Sequence, residues 1–139
     1  MTPLRLAAER KILAGTFPTC SLDTAGRLVM ATLTANSGRA YSVRLEVPAT
    51  FPDAHPQAYI TAPVLYDRAG RKLAAVGTSA VMHTLTPRGD WVQVCHGHPE
   101  RWDSRNTLYT VLLKARLWIE AYEAHLLDGR PLDTWLRHA

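Results

Sequence analysis

Tyr41-Ser42-Val43-Arg44-Leu45-Glu46-Val47-Pro48-Ala49-Thr50-Phe51-Pro52-Asp53-Ala54-His55-Pro56 holds two opposite kinds of order in one stretch. Tyr41, Val43, Leu45 and Val47 alternate with Ser42, Arg44 and Glu46, the period of a strand with one apolar face and one wet face. The prolines at 48, 52 and 56 then exclude a helix and a central strand alike, because proline lacks the N–H that either ladder needs. The segment from Pro48 to Pro56 therefore reads as an ordered, stiffened crossing that turns Phe51 inward.

Working outward, Arg27 to Ala35 repeats the period of two, with Leu28, Met30 and Thr32 opposite Val29, Ala31 and Leu33. The turn Asn36-Ser37-Gly38-Arg39 joins this run to the next as an antiparallel hairpin. Asp23-Thr24-Ala25-Gly26 is an earlier turn. Before it, Thr2 is a helix cap and Pro3 suits the first helical position, predicting a helix of about twelve residues that ends near Gly15. Its apolar stripe reads as Leu4, Ala7, Ala8, Lys11 and Ile12.

Downstream, Ala58-Tyr59-Ile60-Thr61 predicts a short third strand stopped by Pro63, and Trp91-Val92-Gln93-Val94 a fourth. Exposed turns are expected at Asp67–Lys72 and Gly77–Ser79. Asp103 or Ser104 is expected to cap a helix beginning near Asn106. Leu108, Leu112, Ala115, Ile119, Tyr122 and Leu126 give that helix one continuous apolar face. Asp128-Gly129-Arg130-Pro131 stops it, and the tail from Leu132 to Leu136, with Trp135, folds back onto the body. The fold class is α+β: an N-terminal helix, an antiparallel meander of about four strands, a cysteine loop and C-terminal helices.

The 139 residues suffice for one domain, 1–139, with a single core and no need of disulfides or metals. A hydrophobic fraction of 47% against 20% charged residues excludes a disordered chain. The net charge of +4 and pI near 9.4 are mild. No basic run is interleaved with aromatics, so nucleic acid is not an expected partner. No signal peptide and no membrane-length apolar stretch is present, so the expectation is a cytoplasmic protein with Cys20 and Cys95 both reduced.

The chemistry centres on Gly89-Asp90-Trp91-Val92-Gln93-Val94-Cys95-His96-Gly97-His98-Pro99-Glu100-Arg101-Trp102. A strand delivers a thiol to its end, and a polar loop with two histidines follows at once. A thiolate is strongly nucleophilic and its acyl bond stays labile, which suits Cys95 to carrying an acyl group. The plainer reading is a small buried hydrophobe ending a strand. His96 and His98 are candidate bases or oxyanion donors beside Cys95, or else exposed loop histidines. His83 follows Ala80, Val81 and Met82 and reads first as a hydrogen-bonded structural histidine. Trp91 and Trp102 flank the stretch and read most simply as packing residues, while Cys20 reads as structural. A zinc site would need Cys95, His83, His98 and one more ligand, without any CxxC spacing. No GxSxG elbow or phosphate-cradling glycine loop is present, and no metal or cofactor is expected.

The order of these pieces resembles the ubiquitin-conjugating enzymes. The strand ending in Val47-Pro48, followed by Phe51-Pro52-Asp53-Ala54-His55-Pro56, is similar to their proline-rich crossing. His83, Gly89 and Cys95 resemble their HPN-to-cysteine segment, and Trp102 resembles the tryptophan beyond the active cysteine. Thr84 and Leu85 stand where that family has proline and asparagine. The ending Trp118-Ile119-Glu120-Ala121-Tyr122-Glu123 … Asp128-Gly129 … Trp135-Leu136 is similar to bacterial members found in antiphage operons.

The resemblance implies a UBC-like fold in which Cys95 takes the C-terminus of another protein as a thioester and passes it to a lysine amine. That protein would be a ubiquitin-like protein or a cGAS-like nucleotidyltransferase, with an adenylating activating enzyme in some operons. His83, His96 and His98 join Cys95 as candidate catalytic residues, with His96 or His98 replacing the asparagine. Trp102 and Trp91 become candidate substrate contacts. A catalytically inactive UBC-like binding module and a small zinc-binding or thiol-redox domain are the alternatives.

Overall fold

The structure is a computed structural model and describes residues 1–136. It contains α1 (Pro3–Thr16), β1 (Ser21–Leu22), β2 (Leu28–Thr34), β3 (Ala40–Glu46), β4 (Gln57–Ala62), α2 (Leu73–Val76), β5 (Val92–Val94) and α3 (Leu108–Asp128). Short 3₁₀ turns lie at Pro99–Arg101 and Leu132–Thr134. The strands form one antiparallel sheet in the order β1-β2-β3-β4-β5, so the α+β meander expected from the period-two runs is present. It has a fifth strand, because the two-residue β1 pairs Ser21 with Met30 and Leu22 with Val29. Two residues carry no period, so sequence alone left β1 unassigned.

The sheet's register puts every inward residue on one side. Val29 faces Leu45, Leu45 faces Ala58 and Ala58 faces Val94, while Ala31, Val43, Ile60 and Val92 share the same face. Against this face lies α3, whose Leu108, Val111, Leu112, Ala115, Trp118, Ile119 and Tyr122 belong to the same buried core. The helix thus closes over the sheet in two layers, the arrangement that buries both apolar faces at once. Burying a Leu, Ile or Val side chain contributes about 1.5–3 kcal/mol relative to leaving it exposed, so this interface is the main source of stability.

Polar ties fix the layers' alignment. Tyr41 Oη donates to Glu123 at 2.5 Å, and the β2–β3 turn is held by Asn36 N–H donating to Glu120 at 2.7 Å. The proline crossing turns Phe51 inward as its sequence implies, and the structure adds that the Phe51–Pro52 peptide is cis. The segment after β4, where periodicity fades, holds α2, a single turn anchored by the buried Leu73. The expected turn at 67–72 is present, with Asp67 N–H donating to Arg71 O at 2.8 Å.

Two expectations about the helices need correction. In α1 the Thr2 cap holds, its hydroxyl accepting from Arg5 N–H at 3.1 Å, but the buried face is not Leu4, Ala7, Ala8, Lys11 and Ile12. Leu4 is 84% exposed, whereas Glu9 and Leu13 are buried. The reason lies on another helix: Glu9 Oε1 accepts the Leu108 N–H at 2.7 Å, one of the four N–H groups that every helix start leaves without an internal partner. Arg5 completes the joint, with Nε on Glu9 at 3.1 Å and its other nitrogens on the carbonyls of Ser104 and Asn106. The second correction is the cap of α3. Thr107, not Asp103 or Ser104, accepts from Thr110 N–H at 3.2 Å. Asp103 is engaged by the Arg105 guanidinium and backbone, which hold its carboxyl down at about 2.

The end of α3 matches the sequence. Gly129 takes the left-handed conformation at φ 79° and its N–H donates to His125 O, a C-terminal closure that suits glycine because it has no Cβ. The tail folds back as expected, but its anchor is the fully buried Leu132, while Trp135 stays 39% exposed. Among the described residues, no helix is long and apolar enough to cross a membrane.

Candidate functional site

Cys95 follows β5 directly and is half-buried. The end of β5 is held by residues 83–85: Cys95 N–H donates to His83 O at 2.9 Å, Thr84 bridges Val94, and Leu85 N–H donates to Gln93 O at 2.9 Å. In this antiparallel register His83 stands opposite Cys95. The segment carrying His83 is a tight hairpin, with Ser79 and Thr84 exchanging both backbone hydrogen bonds. Its Met82 carbonyl accepts from the buried Trp118 Nε1 at 2.9 Å, which ties the hairpin to α3.

His83 is buried, at 3% exposure, and its Nε2 lies 2.5 Å from Asp133 Oδ1 on the C-terminal 3₁₀ turn. A carboxylate oxygen accepts, so Nε2 carries the proton. Among the described residues His83 is the only non-glycine with a positive φ, at 52°. Such a backbone is uncommon for a side-chain-bearing residue and persists only where its surroundings dictate it.

His96 is turned away from solvent differently. Its Nε2 donates to Pro56 O at 2.7 Å, and its ring meets those of His55 and Trp102 edge-on at 5.4 and 6.1 Å. Burial pushes its pKa below the ordinary 6.5; the Pro56 carbonyl opposes this, and the charges of His55 and Lys114 add to the fall. Since Nε2–H is committed to Pro56, the nitrogen left with a lone pair is Nδ1. Trp102 is half-buried, donates Nε1–H to Pro52 O at 2.7 Å and packs on Phe51 at 6.2 Å. It therefore fastens the cysteine loop to the proline crossing. His98 is exposed and begins the 3₁₀ turn, with its carbonyl accepting from Arg101 N–H at 3.0 Å.

The structure does not bring Trp91 to this cluster. It lies at the other end of β5, packed on Tyr59 at 6.1 Å and under Arg44 and Arg88 at 5.5 and 5.9 Å. Four residue steps separate it from Cys95, about 13 Å at the usual rise. Cys20 sits near β1, and burial raises its thiol pKa.

Two clefts meet at Cys95. One, of about 240 Å³, is bounded by Pro56, Ala80, Thr84, Leu85 and Val94. The other, of about 220 Å³, lies toward α3 and is bounded by His83, Lys114, Leu117, Trp118 and Trp135. Beyond His96 a more polar hollow of about 170 Å³ is walled by His55, His98, Arg101, Trp102, Asn106 and Lys114. A thiol between two clefts has room for an acyl group on one side and a leaving or attacking group on the other. Among the described residues no three His, Cys, Asp or Glu side chains are grouped closely enough to hold a metal ion, so Cys95, His83 and His98 do not converge as a zinc site would require.

Sequence reading missed three members of this neighbourhood. His55 hides in the proline crossing, and Lys114 reads as one more polar position on an amphipathic helix. Asp133 lies in a tail whose docking no local pattern reveals. No family model matches the chain, and no curated protein is similar to it.

Proposed function

We propose that this protein is a ubiquitin-conjugating-enzyme-like acyl carrier, in which Cys95 receives the C-terminal carboxyl group of a partner protein as a thioester and passes it to a lysine amine. The observation that carries this reading is the half-exposed Cys95 at the end of β5, with a cleft on each side and histidines at both flanks. The element order supports it: helix, meander, proline crossing, cysteine loop and a long helix over the sheet follow the UBC sequence. The partner would be a ubiquitin-like protein or a cGAS-like nucleotidyltransferase, activated by an adenylating enzyme, in bacterial antiviral defence.

The chemistry follows from the thiol. Attack by sulfur on the activated carbonyl forms the S–C bond and releases the activating group. The lysine amine then attacks the same carbonyl, forming the amide while the electron pair of the C–S bond returns to Cys95. His96, neutral at pH 7 with Nδ1 unprotonated, is one group able to take the proton that the nitrogen sheds. His98, on the rim of the polar hollow, is the other candidate at this position.

Incubation with an adenylating enzyme and the ubiquitin-like protein or nucleotidyltransferase tests the reading. A covalent adduct released by reductant is expected for the parent, and no reductant-sensitive adduct for Cys95→Ser. If the parent forms no adduct while still binding the partner, the protein is a UBC-like binding module instead.

A further inference from the structure

We infer that the polar hollow beside the cysteine loop is an anion site, which takes the phosphoryl group of a phosphate monoester on Arg101, Asn106 and Lys114. It goes beyond the acyl-carrier reading and does not rest on it, since the hollow and the thiol chemistry draw on different residues.

Three parts of the chain meet at this hollow. Arg101 ends the 3₁₀ turn after the cysteine loop, Asn106 stands just ahead of α3, and Lys114 lies in the second turn of that helix. Among the described residues, none of these three side chains has an ion pair or a hydrogen bond within the protein. Their cationic neighbours in the chain are engaged: Arg105 pairs with Asp103 at 2.7 Å and Arg116 with Glu120 at 3.3 Å. No carboxylate lines the hollow among the described residues, and the two nearest in the chain, Glu100 and Asp103, lie outside its walls. The lining therefore carries two fixed positive charges, with the imidazoles of His55 and His98 able to add more. His96 registers this field. Burial lowers its pKa first, and the charges of His55 and Lys114 push it the same way.

A concave surface lined by charge of one sign concentrates its field and draws in counter-ions. Here the concavity is held open by fastened groups. Trp102 Nε1–H donates to Pro52 O and His96 Nε2–H to Pro56 O, each at 2.7 Å, so both rings are locked to the proline crossing. Donors set in advance on a rigid wall lose little freedom when an anion arrives. The volume of about 170 Å³ falls below the roughly 300 Å³ at which pockets for drug-sized ligands begin. It therefore admits a phosphoryl group and leaves the rest of the ester outside. A phosphate monoester carries a charge of about −1.5 to −2 at pH 7 and three strong acceptor oxygens. That matches one guanidinium fork, one ammonium and one amide better than a carboxylate does, with its single charge.

The test titrates the ¹⁵N-labelled full chain with methyl phosphate at pH 7 and constant ionic strength, followed by NMR. Saturable shifts are expected for the Trp102 indole N–H and the Gly97 amide. Lys114→Met and Arg101→Gln keep most of each stem, and each should weaken binding about tenfold or more. Lys11→Met, on the exposed side of α1, should leave it unchanged, as should Cys95→Ser. Dimethyl phosphate has one charge and should bind about tenfold more weakly than methyl phosphate. N-acetyl-phosphoserine amide and glycerol 3-phosphate then separate the two sources of the group, since tighter binding of the first marks a phosphorylated protein segment and of the second a small ester. Shifts that grow without saturating, an equal loss in Lys11→Met and Lys114→Met, or equal binding of the mono- and diester would each overturn the site. None of these outcomes touches the acyl-carrier reading, which stands or falls on the Cys95 adduct.

Discussion

Replacing Glu9 with alanine removes the one carboxylate that joins the two long helices. Glu9 is 1% exposed, and its oxygens accept from Leu108 N–H at 2.7 Å and Arg5 Nε at 3.1 Å. Alanine favours a helix at least as well as glutamate, so within α1 only the Arg5–Glu9 ion pair is lost. The cost falls on α3: a buried N–H left without an acceptor costs about 1–3 kcal/mol. Removing a negative charge from a helix N-terminus costs up to about 2 kcal/mol in a partly buried setting. Together they give a destabilisation of about 3 kcal/mol, or a fall of about 10 °C in Tm for a chain of this size. Glu9→Gln keeps an oxygen for Leu108 and loses only the charge, so it should cost about 1 kcal/mol. Urea denaturation at pH 7, followed by far-UV circular dichroism and tryptophan fluorescence, measures both. A Glu9→Ala loss below about 1 kcal/mol, or equal losses in the two variants, would refute the argument that the backbone N–H is what the carboxylate chiefly serves.

The His96 imidazole, held below its usual range by burial, makes stability depend on pH in a defined direction. The unfolded chain binds the proton first as pH falls through about 6.5, so the contribution is complete above that value and declines as pH drops toward the folded-state pKa. Between pH 7.5 and 5.5 the parent should lose more stability than His96→Gln; identical losses in urea melts would contradict this. Trp102→Phe deletes the 2.7 Å hydrogen bond to Pro52 O while keeping an aromatic ring. It should cost about 1–2 kcal/mol and speed amide hydrogen exchange over residues 97–106 relative to β3. Exchange that stays unchanged there would show that the indole N–H does not anchor the cysteine loop.

The amino-acid sequence by itself determined the elements whose signal is local. Alternation marks β2 and β3, because successive strand side chains face opposite sides. Three prolines mark the crossing, because they cannot join a ladder. Spacings of three and four mark α3, and Gly129 its end. Cys95 after a strand was legible for the same reason, as was Trp102 in the loop beyond it.

Only the tertiary structure decided what depends on a partner distant in the chain. Glu9 lies outside the apolar stripe expected for α1 and yet is buried, because the start of α3, ninety-nine residues on, leaves an N–H needing an acceptor. Trp91 reads as a neighbour of Cys95 but packs at the opposite end of its strand. His83 reads as a structural histidine on its own segment; its place opposite Cys95 follows from hairpin register, and its hold on Asp133 spans fifty residues. Periodicity reports which face of an element is apolar. It carries no information on which distant group meets that face, since this is settled only when the sheet, the hairpin and the C-terminal turn pack against α3 together.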